Sequence, residues 1–254
     1  MTGHLAIVGI GPGDPDLLTP QAGAALAAAT DLVGYAPYLD RLAARPGQLR
    51  HASDNREELA RARLALELAA AGRRVAVVSA GDAGVFGMAS AVFEAIESGP
   101  PAWRATELEV LPGVSAVLAV AARVGAPLGQ DFCVISLSDN LKPWHLVVRR
   151  LDSAAAAGFV IALYNPASRA RPWQLGAALD VLRARLPPAT PVVFATAVTR
   201  PEERIEVVRL DAADPARADM RTLMLIGSPA TRCLERPGRH PPWVYTPRDA
   251  RVPS

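Results

Sequence analysis

Three glycine-rich turns, each directly after an apolar run, carry the residues of this chain best suited to chemistry. They are Gly9-Ile10-Gly11-Pro12-Gly13-Asp14, Ser79-Ala80-Gly81-Asp82-Ala83-Gly84 and Pro112-Gly113-Val114-Ser115-Ala116. Glycine lets the backbone come close to a ligand because no Cβ stands in the way. Asp14, Asp82 and Ser115 add two carboxylates and a hydroxyl at the mouths of these turns. The first turn is not the dinucleotide fingerprint, since G-x-G-x-x-G needs glycine where Asp14 stands, and a carboxylate is the wrong charge for a pyrophosphate. Nor does an acidic residue end the second strand; Asp31 precedes Leu32-Val33-Gly34. Taken alone, the second turn is equally an ordinary strand-to-helix turn with Asp82 as a helix cap. Repetition of one device at three strand ends favours a ligand crevice, the place where open α/β sheets bind small molecules.

The elements that must position these turns follow from periodicity. Leu5 to Val8, Val75 to Val78 and Glu107 to Leu111 are short apolar or alternating runs that read as strands, the first buried and the second buried on both faces of a parallel sheet. Thr19-Pro20 predicts a capped helix from Gln21 to Ala29, and a second apolar segment at helical spacing runs from Val85 to Ile96. Tyr35 and Tyr38, beside Gly34 and Pro37, form an aromatic wall or simply pack locally. The stretch from Arg50 enters a long amphipathic helix that ends near Gly72, with Asp54 or Asn55 as its cap and most of its charge solvated. Arg50, His51 and Arg56 are candidates there for contact with an anion.

Gly125 to Gly129 reads as a linker, which divides the chain into domains 1–124 and 125–254. Strands are expected at Asp131–Leu137, Phe159–Leu163, Pro191–Thr196, Arg204–Leu210 and, as the last, Thr222–Gly227. Helices fall at Leu146–Ala157 and Trp173–Arg185. The strands at Thr196 and Arg204 are close enough for an antiparallel hairpin, so the second sheet is expected to be mixed. The Pro- and Arg-rich tail after Pro237 is expected to be irregular.

Composition bounds the function. The chain has 254 residues, half of them hydrophobic, and a net charge of +2, too balanced for a nucleic-acid tract. No apolar run approaches the roughly 18 residues of a membrane span, and Met1 to Ile10 has neither the basic region nor the length of a signal peptide. Cys133 and Cys233 stand far apart, which favours a reducing compartment. The four histidines, His4, His51, His145 and His240, form no ligand pair, so no catalytic metal is expected.

The order of Gly9-Ile-Gly-Pro-Gly-Asp14, Leu17-Leu18-Thr19, Gly81-Asp82 and Pro112-Gly113-Val114-Ser115-Ala116 resembles the tetrapyrrole methylases, S-adenosylmethionine enzymes of corrin and sirohaem synthesis. The resemblance covers Leu5 to Ser228. Gly34-Tyr-Ala-Pro-Tyr38, Ser53-Asp-Asn-Arg56, Gly81 to Phe86, Asp131 to Asp139 and Leu163-Tyr-Asn-Pro166 are similar to the ring-contracting branch of aerobic cobalamin synthesis. Gln130 departs from it, standing where that branch has histidine, and cannot take over a proton transfer made there.

The resemblance implies two α/β domains, a parallel sheet in the first and a mixed sheet in the second, with the cofactor in a cleft between them. It also implies a cytoplasmic homodimer, with no nucleic-acid or membrane partner. By motif, S-adenosylmethionine (leaving as S-adenosylhomocysteine) faces Pro12, Gly81, Asp82, Val85, Ser115, Ala116, Tyr164, Asn165 and Val198. The acceptor is a precorrin, whose acetate and propionate groups would meet Arg50, Arg56, Lys142, Arg169 or Arg200. Lys142 is the only lysine in the chain. Ring contraction calls for a base, worth about 10²–10⁴-fold: Asp14 first, then Asp139 or His145. Asp14 is otherwise a loop carboxylate that holds neighbouring N–H groups. Two other readings stand beside this one. The first is a methyltransferase of the same fold acting on another macrocycle carbon, a protein or an RNA. The second is a non-catalytic carrier of S-adenosylmethionine or precorrin.

Overall fold

A computed structural model describes residues 3–168 and 170–249. It divides into two compact units, Met1–Ala116 and Val117–Ser254. The division thus falls at the start of the helix before Gly125 rather than at the expected linker.

In the first unit, β1 (His4–Gly9), β2 (Asp31–Tyr35), β3 (Leu49–Ser53), β4 (Arg74–Ser79) and β5 (Glu107–Leu111) form a sheet in the order β3-β2-β4-β1-β5. Every pairing in it is parallel, so all five strands deliver their carboxyl ends to one edge. The two-residue period of a strand splits the core between the two faces. Leu5, Ile7, Val75 and Val77 pack under α3 (Glu58–Ala70) and α4 (Met88–Ser98). Ala6, Val8, Ala76 and Val78 pack with Leu26 of α1 (Pro20–Ala28) and Leu39 of α2 (Ala36–Leu39). Thr19 caps α1 as expected, its side chain accepting from Ala22 N at 3.2 Å.

Two expectations are corrected here. Residues 49–53 form β3 before the helix begins; the strand is exposed and charged, and carries no apolar run to reveal it. The cap of α3 is neither Asp54 nor Asn55 but Glu57, which makes no side-chain cap bond; its carboxylate turns back to accept from Asp54 N at 3.0 Å. Arg61, on the face expected to be solvated, is 5% exposed, and its guanidinium holds Ser53 Oγ at 2.8 Å and Asp54 O at 2.8 Å.

The second unit opens with α5 (Ala116–Val124) and β6 (Gly125–Ala126). It continues through β7 (Phe132–Ser136), α6 (Trp144–Ala156), β8 (Val160–Tyr164), α7 (Gln174–Arg183), β9 (Pro191–Thr196), β10 (Arg204–Arg209) and β11 (Thr222–Ile226). The sheet order is β10-β9-β11-β8-β7. Only β7 and β8 pair parallel; the other three pairings are antiparallel, which makes the sheet mixed. Because β11 runs opposite to both neighbours, β7, β8 and β9 still end at a common edge. Leu137, Leu151, Leu163, Leu179 and Phe194 are fully or almost fully buried in its core.

Among the described residues the tail is not irregular, and Thr222–Ile226 is not the last strand. β12 (Arg232–Arg236) and β13 (Arg239–Tyr245) form a hairpin, and β13 also pairs with β6. The supposed linker residues Gly125 and Ala126 are that partner. Pro241 and Pro242 hide β13 in the sequence, yet the β6 pairing involves only Val244 and Tyr245, so the missing proline N–H groups cost no bond there. Thr246 Oγ donates to Pro127 O at 2.6 Å and closes the structure.

Candidate active site

At the carboxyl edge of the parallel sheet the three glycine turns pack on one another. Gly11 and Gly81 exchange a pair of backbone hydrogen bonds, 3.1 and 2.9 Å long. A Cβ on Gly113 would lie 2.2 Å from Gly81 O, and one on Gly9 would lie 2.7 Å from Gly113 N. These two glycines therefore serve contact between turns. Gly81 differs: its φ is +65°, and a Cβ there would meet Ala116 N, Ser115 Cα and Val114 O only at ordinary contact distance, 3.8, 3.8 and 3.9 Å, so the left-handed backbone and not close packing calls for glycine.

Asp82 ties the second and third turns together. Oδ1 accepts from Gly84 N at 2.8 Å and Oδ2 from Gly113 N at 3.0 Å. Asp14 Oδ1 accepts from Asp16 N at 3.0 Å and caps a short 3₁₀ turn. Asp14 also lines a cavity of about 310 Å³ with Ile10, Leu18, Leu26, Arg41 and Arg45. Arg41 reaches back to Gly11 O at 3.0 Å. Pro12 and Ser115 are buried, while Val85 and Ala116 are half-buried. Tyr35 and Tyr38 pack edge to face at 5.1 Å.

In the second unit, Tyr164 and Val198 follow the same rule of placement at strand ends. Tyr164 Oη accepts from Val117 N at 3.1 Å, which caps the first turn of α5. Asn165 donates to Ser136 Oγ at 3.0 Å, and its carbonyl accepts from Arg171 at 3.0 Å. Asp139 accepts from Gln174 Nε2 at 3.0 Å. His145 is exposed on the first turn of α6.

Backbone strain marks the same edges. Among the described residues, the non-glycine positions with positive φ are Arg56, Phe86, Asn165, Ala197 and Thr199. They follow the carboxyl ends of β3, β4, β8 and β9. Each costs on the order of 1–3 kcal/mol and persists only where surrounding contacts impose it, which is common at binding sites. Phe86, half exposed at 53%, and Ala197 escape sequence reasoning because nothing in a residue type announces its φ.

The expected anion contacts separate. Arg50 spends both Nη groups on Leu39 O at 3.0 Å and Leu42 O at 2.8 Å. Arg56 is exposed after the carboxyl end of β3, and Arg200 donates its backbone N–H to Ala197 O. Lys142 is half-buried, and burial together with the Arg150 charge lowers its ammonium below the ordinary value. Arg169 lies outside the described residues. His51 lies midway along β3, paired with Val33, and its Nε2 is 2.8 Å from the buried Asp31 carboxylate at the amino end of β2. No group of three or more metal-ligating side chains occurs among the described residues.

Glycine turns gathered at the carboxyl edge of a parallel sheet define an α/β protein of the class that binds small molecules there. The sequence profile of the Tetrapyrrole (Corrin/Porphyrin) Methylases matches residues 4–214, and the chain belongs to that family. It is 61% identical over 248 residues to a Sinorhizobium protein named precorrin-3B C(17)-methyltransferase, covering 98% of this chain and 97% of that one. It is also 52% identical over 252 residues to the cobalamin biosynthesis protein CobIJ of Mycobacterium bovis, where it spans 98% of itself and 48% of the relative. The crystal structure of the methyltransferase CobJ superposes with a TM-score of 0.91 at 54% identity, covering 96% of this chain and all of that one.

Proposed function

We infer that this chain methylates precorrin-3B at C-17 with S-adenosylmethionine and contracts the ring to give precorrin-4, a step of aerobic cobalamin synthesis. The observation that carries this reading is the 61% identity, end to end, with the Sinorhizobium precorrin-3B C(17)-methyltransferase.

The residues suit the cofactor. Gly81 gives the second turn its left-handed bend against Ser115 and Ala116, Val85 and Ala116 offer half-buried apolar surface, and Ser115 and the Asp82-held turns present backbone polar groups. A mostly apolar pocket with a few fixed polar groups is the usual small-molecule site. Pro12 belongs to the first turn, and Tyr164, Asn165 and Val198, at strand ends of the second unit, are assigned to the cofactor by the family resemblance. S-adenosylmethionine supplies an electrophilic methyl group on a sulfonium that is already a good leaving group. The chain's work in that step is to hold carbon and methyl in line.

Asp14 is proposed to take the C-20 hydroxyl proton as the ring carbon migrates. Its half-burial on a cavity that also holds Arg41 and Arg45 supports this. Asp139 and His145 are the alternatives, though the Gln174 bond already engages Asp139. Substrate carboxylates are assigned to Arg56, Lys142 and Arg200. The free thiols Cys133 and Cys233 suit a cytoplasmic setting, and the family resemblance supports a homodimer.

The test is incubation of the purified chain with precorrin-3B and methyl-labelled S-adenosylmethionine, with mass and NMR analysis of the product. One label at C-17 of a contracted ring is expected. A label on another carbon, or binding without turnover, overturns the assignment.

A further inference from the structure

At the carboxyl edge of the mixed sheet, the segment joining β7 to α6 lies beside the start of α7. Leu141 there is fully exposed, and Trp173 is 51% exposed. Trp173 meets Trp144 edge to face at 5.0 Å with 76° between planes, and Trp144 packs on the core beneath. Below the segment, Gln174 is 3% exposed and gives its amide N–H to Asp139. Its Oε1 is buried without a hydrogen-bond partner. Flipping the amide would set that oxygen against the Asp139 carboxylate, so the orientation is fixed.

Lys142 follows Leu141 directly and is half-buried, with Arg150 exposed on the second turn of the helix that follows. Burial and the Arg150 charge both lower the Lys142 pKa, which an anion brought to the pair would relieve. An aromatic face, an exposed leucine and two cations together complement a ligand that is flat and apolar with carboxylates at its rim.

We propose that Leu141 and Trp173, flanked by Lys142 and Arg150, form a subsite that receives one pyrrole-derived ring and its acid side chains. This rests on the reading of a tetrapyrrole acceptor. Trp173 gives the ring a face to stack on, Leu141 covers its edge, and the two cations take the carboxylates.

The experiment measures KM for precorrin-3B, and Kd for uroporphyrin III as a stable polycarboxylate probe, in the wild type and in three variants. These are Trp173→Ala, Trp173→Phe and the double change Lys142→Met with Arg150→Met. Trp173→Ala is expected to raise both constants about tenfold, the worth of one aromatic contact of about 1.4 kcal/mol. Trp173→Phe should return to within about threefold of wild type. The double cation variant should raise both about tenfold and flatten their dependence on salt. Kd for S-adenosylhomocysteine should stay within about twofold throughout, which shows that the fold is intact.

Unchanged constants in every variant overturn the subsite, while turnover by the wild type leaves the proposed reaction standing. Loss of dimer in Trp173→Ala with unchanged probe affinity also overturns it and makes this face a contact between copies. If the wild type fails to methylate precorrin-3B but the variants still weaken uroporphyrin binding as stated, the subsite holds and the reaction assignment fails.

Discussion

The Asp82 carboxylate joins two turns that are 31 residues apart in sequence, accepting from Gly113 N at 3.0 Å with one oxygen while the other holds Gly84 N at 2.8 Å. Asp82 thereby ties the edge of the parallel sheet together, and its proposed part in cofactor binding runs through the turns it holds. Hydrogen bonds to a charged group contribute about 1.5–3 kcal/mol each when buried; half-burial reduces that here. Asp82→Ala should lower unfolding stability by about 2 kcal/mol and weaken S-adenosylhomocysteine about tenfold by calorimetry. Unchanged affinity in a folded variant would show that the turns hold their shape without it.

Gly113 and Gly47 separate two reasons for glycine. A Cβ at Gly113 meets backbone at 2.2 Å, whereas at Gly47, with φ of +78°, it meets nothing within 4 Å. Gly113→Ala should cost about 3 kcal/mol from overpacking and abolish cofactor binding. Gly47→Ala should cost about 1–2 kcal/mol, from the left-handed backbone alone, with binding intact. Urea titrations of both variants make the comparison; equal losses would contradict it.

Asp31 predicts a pH dependence. Burial alone would raise its carboxyl pKa, but hydrogen bonds from Arg73 at 2.6 Å, His51 and Thr30 outweigh it and hold the group below 3.8. A carboxyl depressed on folding stabilises the protein above the unfolded value, and that contribution disappears as pH falls through the folded value. Asp31→Asn should therefore cost about 2–3 kcal/mol at pH 7 and progressively less below about pH 4. Urea unfolding of both proteins at pH 7 and pH 3 measures the difference, and a gap that does not narrow in acid would refute the pairing.

Asp14→Asn tests the proposed base. The Asn Oδ1 can still accept from Asp16 N, so the 3₁₀ turn survives. S-adenosylhomocysteine affinity should hold while kcat for ring contraction falls about 10²-fold or more. A variant with full kcat would leave Asp14 as a turn residue.

The sequence by itself determined the frame. Apolar runs such as Val75 to Val78 are long enough only for buried strands, and Thr19-Pro20 specifies a helix start by local chemistry, so both were legible without a partner. The three glycine turns were legible for the same reason, since a turn after a buried strand must leave the sheet at its carboxyl end. What only the tertiary structure decided depends on residues far apart meeting. β3 and β13 are exposed strands whose pairing with β2 and with β12 and β6 supplies what their composition does not. Gly9 and Gly113 look like ligand-facing glycines until Gly81 is placed against them, and Asp82 looks like a local cap until Gly113 N–H arrives at its second oxygen. Arg50 and Arg61 show the limit most plainly: both are arginines near one turn, but packing buries Arg61 and spends Arg50 on carbonyls. Charge is written in the sequence, whereas its solvation is set by whatever the fold lays over it.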